Sequence, residues 1–347
     1  MPVIRRTGLM GLEQRVLARY RRLTRPGDER LFVGFSGGPD SLALAGILTR
    51  IARFTGHKPV LVHVDHGLRS ASNAEAQSAA VSAGALGLEY VQEELGELCT
   101  ARHPGVGVEE AARRERYAVF ARIVGEGGIV ALAHHQSDQA ETVLLHLLRG
   151  AGLRGATGMA EWTQITVPWW TEARQEPLPW INLWRPFIAE KREEVRAYAA
   201  GLGIEAVHDP SNDVPAQTRN ALRLSVIPEL ERIQPGATAA LARYGEIAAL
   251  DDAYLRDVTA NYAIEACDGL GGLRVQSLRE LPTGLAMRLI REWLISHHAS
   301  VELSADRVRA VLSLAHQCAS GQVVQVGGNI GVKLVGGSIR AGVVDKP

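Results

Sequence analysis

The sequence is poor in cysteine and in lysine, and both shortages restrict the functions to consider. Its three cysteines, Cys99, Cys267 and Cys318, are far apart and form no C-x-x-C pair, which argues against a zinc site and against a disulfide framework. Because lysine is scarce, arginine carries nearly all of the positive charge, and the formal net charge is zero. A nucleic-acid partner has to be argued from local clusters of charge rather than from the total.

Long apolar runs are also missing. No segment approaches the roughly 18 apolar residues of a membrane span, and residues 1–27 lack the uninterrupted apolar stretch of a signal peptide. We therefore expect a cytoplasmic protein with no membrane partner. The 347 residues are 46% hydrophobic and 22% charged, which is ordinary for a globular chain of two or three domains.

The most informative stretch is LFVGFSGGPDS at 31–41. An apolar strand runs into a Ser- and Gly-rich turn and then into a helical run, which is the geometry of a phosphate cradle. The glycines permit a tight turn with exposed backbone N–H groups, and the serines add hydroxyl donors. The plainer interpretation is a Gly-Pro turn between a strand and a helix. We predict that the loop binds the pyrophosphate of a nucleotide through Ser36, Gly37, Gly38, Pro39, Asp40 and Ser41.

This loop lacks the lysine that ends a conventional P-loop, and it contains Asp40 instead. A carboxylate at this place would repel a triphosphate unless a divalent cation bridged the two. We therefore predict that Asp40 is a Mg²⁺ ligand. The pattern S-G-G-x-D-S after a strand resembles the loop of the N-type ATP pyrophosphatases, which release pyrophosphate and carry AMP to a carbonyl or carboxylate oxygen.

Strand and helix patterns alternate through the first half of the chain. The alternation predicts an α/β fold with a doubly wound parallel sheet, whose ligand crevice lies at the carboxyl ends of the strands. The segments HVDHGLR at 63–69 and HHQSDQAET at 134–142 follow two of these strands. Strands are predicted at 33–35, 60–64, 88–94 and 128–134, and helices at 41–54, 73–86, 108–124 and 138–149.

The alternation stops at 151–187, a segment that holds five of the six tryptophans. An extra hairpin accounts for them, and stacking on unpaired bases is the alternative. After Pro235 the composition becomes rich in Ala and Leu, and the final segment alternates apolar and polar residues around Gly-Gly and Gly-Asn turns. We predict a catalytic domain at 1–235 and a mainly helical domain at 236–347 that ends in a small antiparallel sheet.

Several motifs together resemble the tRNA(Ile)-lysidine synthetases over about residues 30–235. They are HVDHGLR at 63–69, EEAARRERY at 109–117, AHHQSDQAETVLLHLLRGAGLRG at 133–155, RPF at 185–187, DPSN at 209–212 and RNALR at 219–223. The resemblance implies an adenine nucleotide alpha hydrolase-like (PP-loop) domain that is followed by a helical tRNA-binding domain. It also allows a homodimer.

The chemistry of that family follows from the resemblance. ATP adenylates the 2-carbonyl oxygen of the wobble cytidine in tRNA(Ile) with a CAU anticodon, and the ε-amine of free L-lysine then displaces AMP to give lysidine. A pyrimidine carbonyl is a poor electrophile, and adenylation supplies a better leaving group. The implied partners are ATP, Mg²⁺, free L-lysine and this tRNA.

The resemblance also implies roles for charged residues. Arg113, in the pattern E-x-x-x-R-x-x-R-Y, is expected near the reacting base or phosphate, and an i,i+4 ion pair with Glu109 is the plainer interpretation. Asp138 and Glu141 lie three residues apart at a helix start, where helix capping is compatible with a catalytic role. They are expected to bind the α-ammonium of lysine or to accept a proton from its ε-amine.

The histidines and Asp65 are less specific. His134 and His135 follow a strand, and because adjacent residues there point to opposite sides, at most one faces the crevice. We favour His134 as the catalytic one. Asp65 is expected to contact the adenosine or to hold the strand end, and His63, Asp65 and His66 lack the spacing of a metal site.

Two other functions remain to be compared. A tRNA thiolation enzyme would use the same activation with sulfur as the nucleophile, but the isolated cysteines argue against it. A protein that binds ATP or RNA without catalysis is disfavoured, because an intact loop at 36–41 and a charged crevice that costs stability would then have no physical reason to persist.

Overall fold

The computed structural model describes most of the chain, and it packs as two units, Met1–Ala248 and Ala249–Pro347. The described residues are 8–23, 30–65, 72–95, 102–103, 105–167, 179–207, 218–297, 303–317 and 321–344, with only the backbone for 72–74 and 109. Within these ranges no helix is both long enough and apolar enough to cross a membrane. The interpretations that concern His66, Cys99, Cys318, Trp169, Trp170 and the DPSN motif lie outside the described residues.

A six-stranded sheet forms the centre of the first unit. Its strands are β1 Leu31–Gly34, β2 Val60–Asp65, β3 Glu89–Glu94, β4 Ile129–Ala131, β5 Trp162–Thr166 and β6 Trp180–Trp184. Their order is β3-β2-β1-β4-β6-β5, and all neighbours pair in parallel except β5, which is antiparallel to β6. The predicted parallel sheet is confirmed, and the Trp-rich segment supplies the extra antiparallel pair.

Helices cover both faces of this sheet. They are α1 Gly11–Arg22, α2 Pro39–Thr55, α3 Ser72–Leu86, α4 Val108–Val124, α5 Gln136–Leu148, α6 Leu153–Ala156, α7 Arg192–Ala200, α8 Thr218–Ala221 and α9 Ile227–Ile233, with a π-helical segment Leu222–Val226 between the last two. Alternate residues of β1 face opposite sides, as strand geometry requires. Val33 packs in the cluster that contains α1, α2 and α7, whereas Phe32 packs with Phe120 of α4 in the cluster on the other face.

The second unit joins helices to a small sheet. The long helix α10 Ala237–Ala266 contains the boundary between the units, and the predicted functional division at 235 stays a prediction. The remaining elements are β7 Leu273–Arg274, α11 Val275–Glu280, α12 Thr283–His297, α13 Ala305–Gln317, β8 Val323–Gly327, β9 Ile330–Val335 and β10 Ser338–Val343. The sheet order is β7-β10-β9-β8 with antiparallel pairing, which confirms the small terminal sheet. Positive φ values at Gly328 and Asn329 shape one of its turns.

A buried carboxylate connects three helices of the first unit. Glu13 of α1 is 1% exposed and accepts hydrogen bonds from the Met10 backbone N–H at 2.7 Å and from the Tyr198 hydroxyl at 2.8 Å. Its third partner is Arg50 of α2, whose Nε donates to Oε1 at 3.2 Å. Because a buried charge needs such partners, Glu13 fixes α1 against α2 and α7.

We expect Glu13→Ala to lower the free energy of unfolding by about 3–5 kcal/mol, since it leaves a guanidinium without its buried partner. Denaturant unfolding followed by tryptophan fluorescence measures this change. The matched control is Glu194→Ala, whose carboxylate is 45% exposed and pairs with an exposed arginine, and which should cost about 0–1 kcal/mol. Equal small losses in both variants would contradict the assignment.

Candidate active site

The loop between β1 and α2 has the shape of an anion cradle. Gly37 adopts a φ of +77°, and a Cβ there would lie 2.7 Å from Cγ2 of Val207, so both conformation and space require glycine. The Ser36 hydroxyl accepts a hydrogen bond from the Gly38 N–H at 3.3 Å, and the Ser41 hydroxyl donates to the Gly38 carbonyl at 3.0 Å. The helix α2 begins with Pro39 and has its positive end at the loop.

Asp40 lies in the first turn of α2 and faces a histidine and an arginine from two other elements. Its Oδ2 is 3.6 Å from Nε2 of His135, and its Oδ1 is 3.7 Å from Nε of Arg196 in α7. Oδ1 is buried and has no hydrogen-bond partner. An orphaned carboxylate oxygen at an anion cradle fits a Mg²⁺ ligand, provided that a phosphate supplies further oxygens. The described residues contain no group of three acidic, histidine or cysteine side chains that could hold a metal ion by themselves.

His135 and Asp138 form the start of α5. The Asp138 carboxylate accepts the His135 backbone N–H at 2.9 Å, and His135 Nδ1 accepts the Asp138 N–H at 3.4 Å, which is a reciprocal capping arrangement. Burial opposes ionisation of Asp138, but the electrostatic interactions with His135 and His134 and the backbone hydrogen bond from His135 outweigh it and lower the pKa of Asp138. Asp138 is therefore a carboxylate at neutral pH.

Glu141, one turn further along α5, is held by two arginines. It is 1% exposed; Nε of Arg223 lies 2.7 Å from Oε1, and Nε of Arg219 lies 3.0 Å from Oε2. Arg223 also reaches Asp138, with Nη2 at 3.4 Å from Oδ1. Burial alone would lower the pKa of Arg223, but its hydrogen bonds to Glu141 and the acidic charges nearby raise it. The two carboxylates and two guanidiniums form a cluster of zero net charge.

Local backbone geometry helps to place Arg223. It lies in the π-helical segment, where the Ile227 N–H bonds to the Leu222 carbonyl five residues earlier. The next residue, Pro228, has no N–H to return to the preceding turn, so a regular α-helical ladder is interrupted there. Such segments occur frequently at functional sites.

His134 lies close enough to Asp138 and to three arginines for their charges to act on its imidazole. Burial and the charges of Arg185, Arg219 and Arg116 lower the pKa of His134 to about 3, although Asp138 opposes the shift. The imidazole is therefore neutral at pH 7, and its Nδ1 is buried without a hydrogen-bond partner. His135 therefore contacts Asp40, whereas His134 is subject to the charges of Arg185, Arg219 and Arg116.

Arg113 and Asp65 lie at different places relative to this cluster. The guanidinium of Arg113 lies over the Tyr117 ring, 5.4 Å from its centroid, and Arg113 is exposed. Asp65 ends β2 and is 3% exposed. Burial of the Tyr90 hydroxyl on β3, together with the charge of Asp65, raises the pKa of Tyr90 to about 12. The structure therefore brings Asp40, Asp138 and Glu141 together through His135 and Arg223, and it places Asp65 on the β3 side of the sheet.

Sequence reasoning missed most of the arginines that complete the site. Arg192 and Arg196 lie four residues apart in α7, and Arg219 and Arg223 are four apart in RNALR. Such spacing puts two guanidiniums on one helix face, and this was the available signal. Which carboxylates each pair of arginines contacts depends on tertiary packing, and the spacing alone does not show this.

Comparison with known proteins agrees with this geometry. A PP-loop domain family model matches residues 12–230. A tRNA(Ile)-lysidine synthase from Mycolicibacterium paratuberculosis is 37% identical over 87% of this chain and 85% of its own length, and one from Mycobacterium leprae is 35% identical over 89% and 88%. A tRNA(Ile)-lysidine synthase from Xanthomonas campestris is 34% identical over 81% of this chain, but the chain spans only 61% of that relative's length.

A solved structure supports the fold independently. The U34-tRNA thiolase NcsA from Methanococcus maripaludis, with its [4Fe-4S] cluster, superposes with a TM-score of 0.50 over 68% of this chain and 78% of its own, at 16% identity. At that identity the likeness concerns the fold alone. The extent of the PP-loop match and the identity to relatives of similar length establish that the chain belongs to the tRNA(Ile)-lysidine synthase family of PP-loop proteins.

Proposed function

We propose that this protein ligates free lysine to the 2-position of the wobble cytidine in tRNA(Ile) with a CAU anticodon, with ATP as the activating substrate. One observation carries the proposal: a continuous series of contacts joins the phosphate loop to the acid–arginine cluster. Asp40 lies 3.6 Å from His135, His135 lies 3.2 Å from Asp138, and Asp138 lies 3.4 Å from Arg223, which binds Glu141. An activated base and an amino acid can therefore meet beside the nucleotide.

ATP binding belongs to the loop at 36–41. Backbone N–H groups and the end of α2 would receive its phosphates, and Arg192 and Arg196 add positive charge on the opposite wall. Burial, together with the charges of Arg196 and Arg223, lowers the pKa of Arg192, whereas the charges of Asp40 and Asp138 raise it. Mg²⁺ held by Asp40 and by phosphate oxygens would neutralise the charge that develops on the departing pyrophosphate.

The cytidine is activated when its O2 attacks the α-phosphorus of ATP and pyrophosphate leaves. The ε-nitrogen of lysine, as the neutral amine, then forms a bond to C2, the C2–O bond to AMP breaks, and the nitrogen releases one proton to water. We place Arg113 near the reacting base or phosphate. His134, with a pKa of about 3, is a poor proton acceptor at neutral pH, so we assign it a neutral hydrogen-bonding role at the base rather than general-base chemistry.

Lysine binding belongs to Asp138 and Glu141. Their cluster with Arg219 and Arg223 has zero net charge, as does the head group of an amino acid. The α-carboxylate of lysine can pair with a guanidinium while the α-ammonium takes the carboxylate oxygen that this guanidinium leaves. Such an exchange of ion pairs leaves no buried charge uncompensated, which is why two saturated carboxylates can still accept an ammonium.

The direct test of this function is incorporation of labelled lysine into tRNA. We expect incorporation to require ATP, lysine and tRNA(Ile) together and to release one AMP and one pyrophosphate for each lysine. Omission of tRNA should abolish AMP release. Pyrophosphate release without lysine incorporation would show that another nucleophile completes the reaction.

The first prediction concerns Asp40. Asp40→Asn should lower the rate of Mg²⁺-dependent pyrophosphate release at least about 100-fold, because it removes an anionic metal ligand from a site that stabilises developing charge. The side chain is 29% exposed and its Oδ1 makes no hydrogen bond, so circular dichroism should show an intact fold. Asp306→Asn, at a side chain that is 89% exposed, is the control. A folded Asp40→Asn protein with the wild-type rate would exclude the metal role.

The second prediction separates the two chemical steps at Glu141. Glu141→Gln keeps the size of the side chain and removes its charge, so the Michaelis constant for lysine should rise about 10–100-fold while pyrophosphate release changes much less. Glu229→Gln, exposed and paired with Arg232, should change neither step. If both steps fell equally, Glu141 would serve to position the arginines and not to bind lysine.

The third prediction concerns tRNA binding by the second unit, which we propose takes no part in the chemistry. Truncation after Ala248 should leave ATP affinity nearly unchanged and weaken tRNA binding in a salt-dependent manner. The cut lies after Ala248 because a Cβ at Gly245 would come within 2.9 Å of Val143, so this turn of α10 packs in the first unit. A soluble truncated protein that modified tRNA at the full rate would overturn the proposal.

A further inference from the structure

A group of arginines lies beside His134, away from the acidic cluster. Arg185 follows β6 directly, and Arg113 and Arg116 belong to α4. These groups lie close together, because the Arg113 guanidinium is 5.4 Å from the centroid of the Tyr117 ring and the Tyr117 hydroxyl bonds to Arg185. Burial, together with the charge of Arg113, lowers the pKa of Arg185, and burial with the charges of Arg185 and Arg116 lowers that of His134. The proposed function above leaves Arg185 and Arg116 without a role.

Arg185 is buried but has only neutral partners among the described residues. It is 5% exposed, and its Nη1 donates to the Ala160 carbonyl at 2.8 Å and to the Thr163 hydroxyl at 3.0 Å. A further hydrogen bond joins it to the Tyr117 hydroxyl. Its Nε is buried and has no partner. A desolvated guanidinium without a counter-charge is costly, so this arrangement is that of a preformed site for an anion.

The neighbouring groups give the site an open side. Arg113 and Arg116 reach solvent, yet protein atoms desolvate the Arg116 guanidinium and lower its pKa. Arg113 connects this region to the surface, because its exposed guanidinium lies over the ring of Tyr117, whose hydroxyl bonds to Arg185. The neutral imidazole of His134 adds Nδ1, a buried polar atom without a partner, to the same region. A ligand that approaches the exposed Arg113 therefore comes close to Arg185.

The guanidinium groups suit phosphate, to which a planar fork can donate two parallel hydrogen bonds. The position of β6 separates Arg185 from the loop after β1. In the sheet order, β6 lies two strands from β1, which corresponds to roughly 10 Å at the usual spacing of strands. An anion at Arg185 is therefore a second phosphate, separate from the one that the cradle of Gly37 and Gly38 receives.

We propose that Arg185, with Arg113, Arg116 and Nδ1 of His134, binds a phosphodiester of the RNA strand next to the reactive base. The inference rests on the proposed function, since it takes RNA as the substrate. An RNA strand carries a phosphate at every nucleotide, so a base at the nucleotide site brings a neighbouring phosphate with it. The other source of the same chemistry is a phosphate of the bound ATP, and the experiment distinguishes the two.

The experiment measures binding and needs no turnover. The probes are a short anticodon stem-loop RNA of tRNA(Ile), a series of the same RNA with one methylphosphonate at each loop position, and ATP. We expect Arg185→Gln and Arg113→Gln each to weaken binding of the unmodified RNA about 10–100-fold, as for loss of a charge-assisted hydrogen bond, and to leave ATP affinity nearly unchanged. The slope of the logarithm of the RNA binding constant against the logarithm of salt concentration should become shallower by about one for each arginine that is replaced.

The methylphosphonate series locates the contact. With the wild-type protein, a methylphosphonate at one loop position should weaken RNA binding by a similar factor. With Arg185→Gln, the same methylphosphonate should have little further effect, because both changes remove one shared interaction. Arg122→Gln, on the same helix but paired with Glu93 at the surface, is the control and should keep the wild-type pattern. Because Arg185 also holds Ala160 and Thr163, a thermal melt checks its fold, and Arg113→Gln gives an independent reading at an exposed residue.

Two results would overturn the inference. If the variants weakened ATP binding and left RNA binding unchanged, the anion would be a phosphate of the nucleotide. If neither ligand were affected in folded variants, Arg185 would have a purely structural role. Failure of lysine transfer would leave these binding results intact, so the inference and the proposed function fail separately.

Discussion

Asp138 depends on two partners that come from different parts of the chain, and the rest of the crevice depends on this pairing. One of its oxygens caps the N–H of His135 at the start of α5, and the other meets Arg223 from the π-helical segment. Because a buried carboxylate is tolerated only when both oxygens are satisfied, this arrangement fixes the start of α5 against residues 218–226. His135 then extends the contact to Asp40 and so to the phosphate loop.

The balance of charge in the crevice suits the several substrates that the proposed function requires. Asp40, Asp138 and Glu141 are outnumbered by the arginines of α7, of 219–223 and of the region around Arg185. Excess positive charge suits ATP and RNA, whereas the neutral acid–arginine cluster suits a zwitterionic amino acid. His134 adds no positive charge to this set, because burial and the arginines keep its imidazole neutral.

Elements that depend on local physics could be read from the sequence. The alternation of strands and helices, the glycine turn at 36–41 and the Gly-Asn turn at 328–329 follow from period, chain flexibility and positive φ. The helix predicted at 108–124 matches Val108–Val124, and that predicted at 73–86 begins one residue later than Ser72–Leu86. The acidic pair of Asp138 and Glu141 was likewise visible, since three-residue spacing places both at one helix end.

Pairings between distant segments could not be read in this way. Glu141 contacts arginines about 80 residues further along the chain, and no periodicity encodes that meeting. The expectation that at most one of His134 and His135 faces the crevice assumed that both residues keep the alternation of a strand. In the structure β4 ends at Ala131, and His135 caps α5. Arg185 was quoted only as part of a motif, because its lack of a charged partner is a property of the packed structure.

We propose above all that this crevice joins lysine to an activated cytidine. Mass spectrometry of the nucleosides from tRNA(Ile), digested after reaction with ATP and isotopically labelled lysine, tests it most directly. We predict a cytidine that has gained lysine with loss of water, carrying the full isotopic label and found only at the wobble position. A wobble cytidine that stays unmodified while ATP is consumed, or that gains sulfur in place of lysine, would contradict the account.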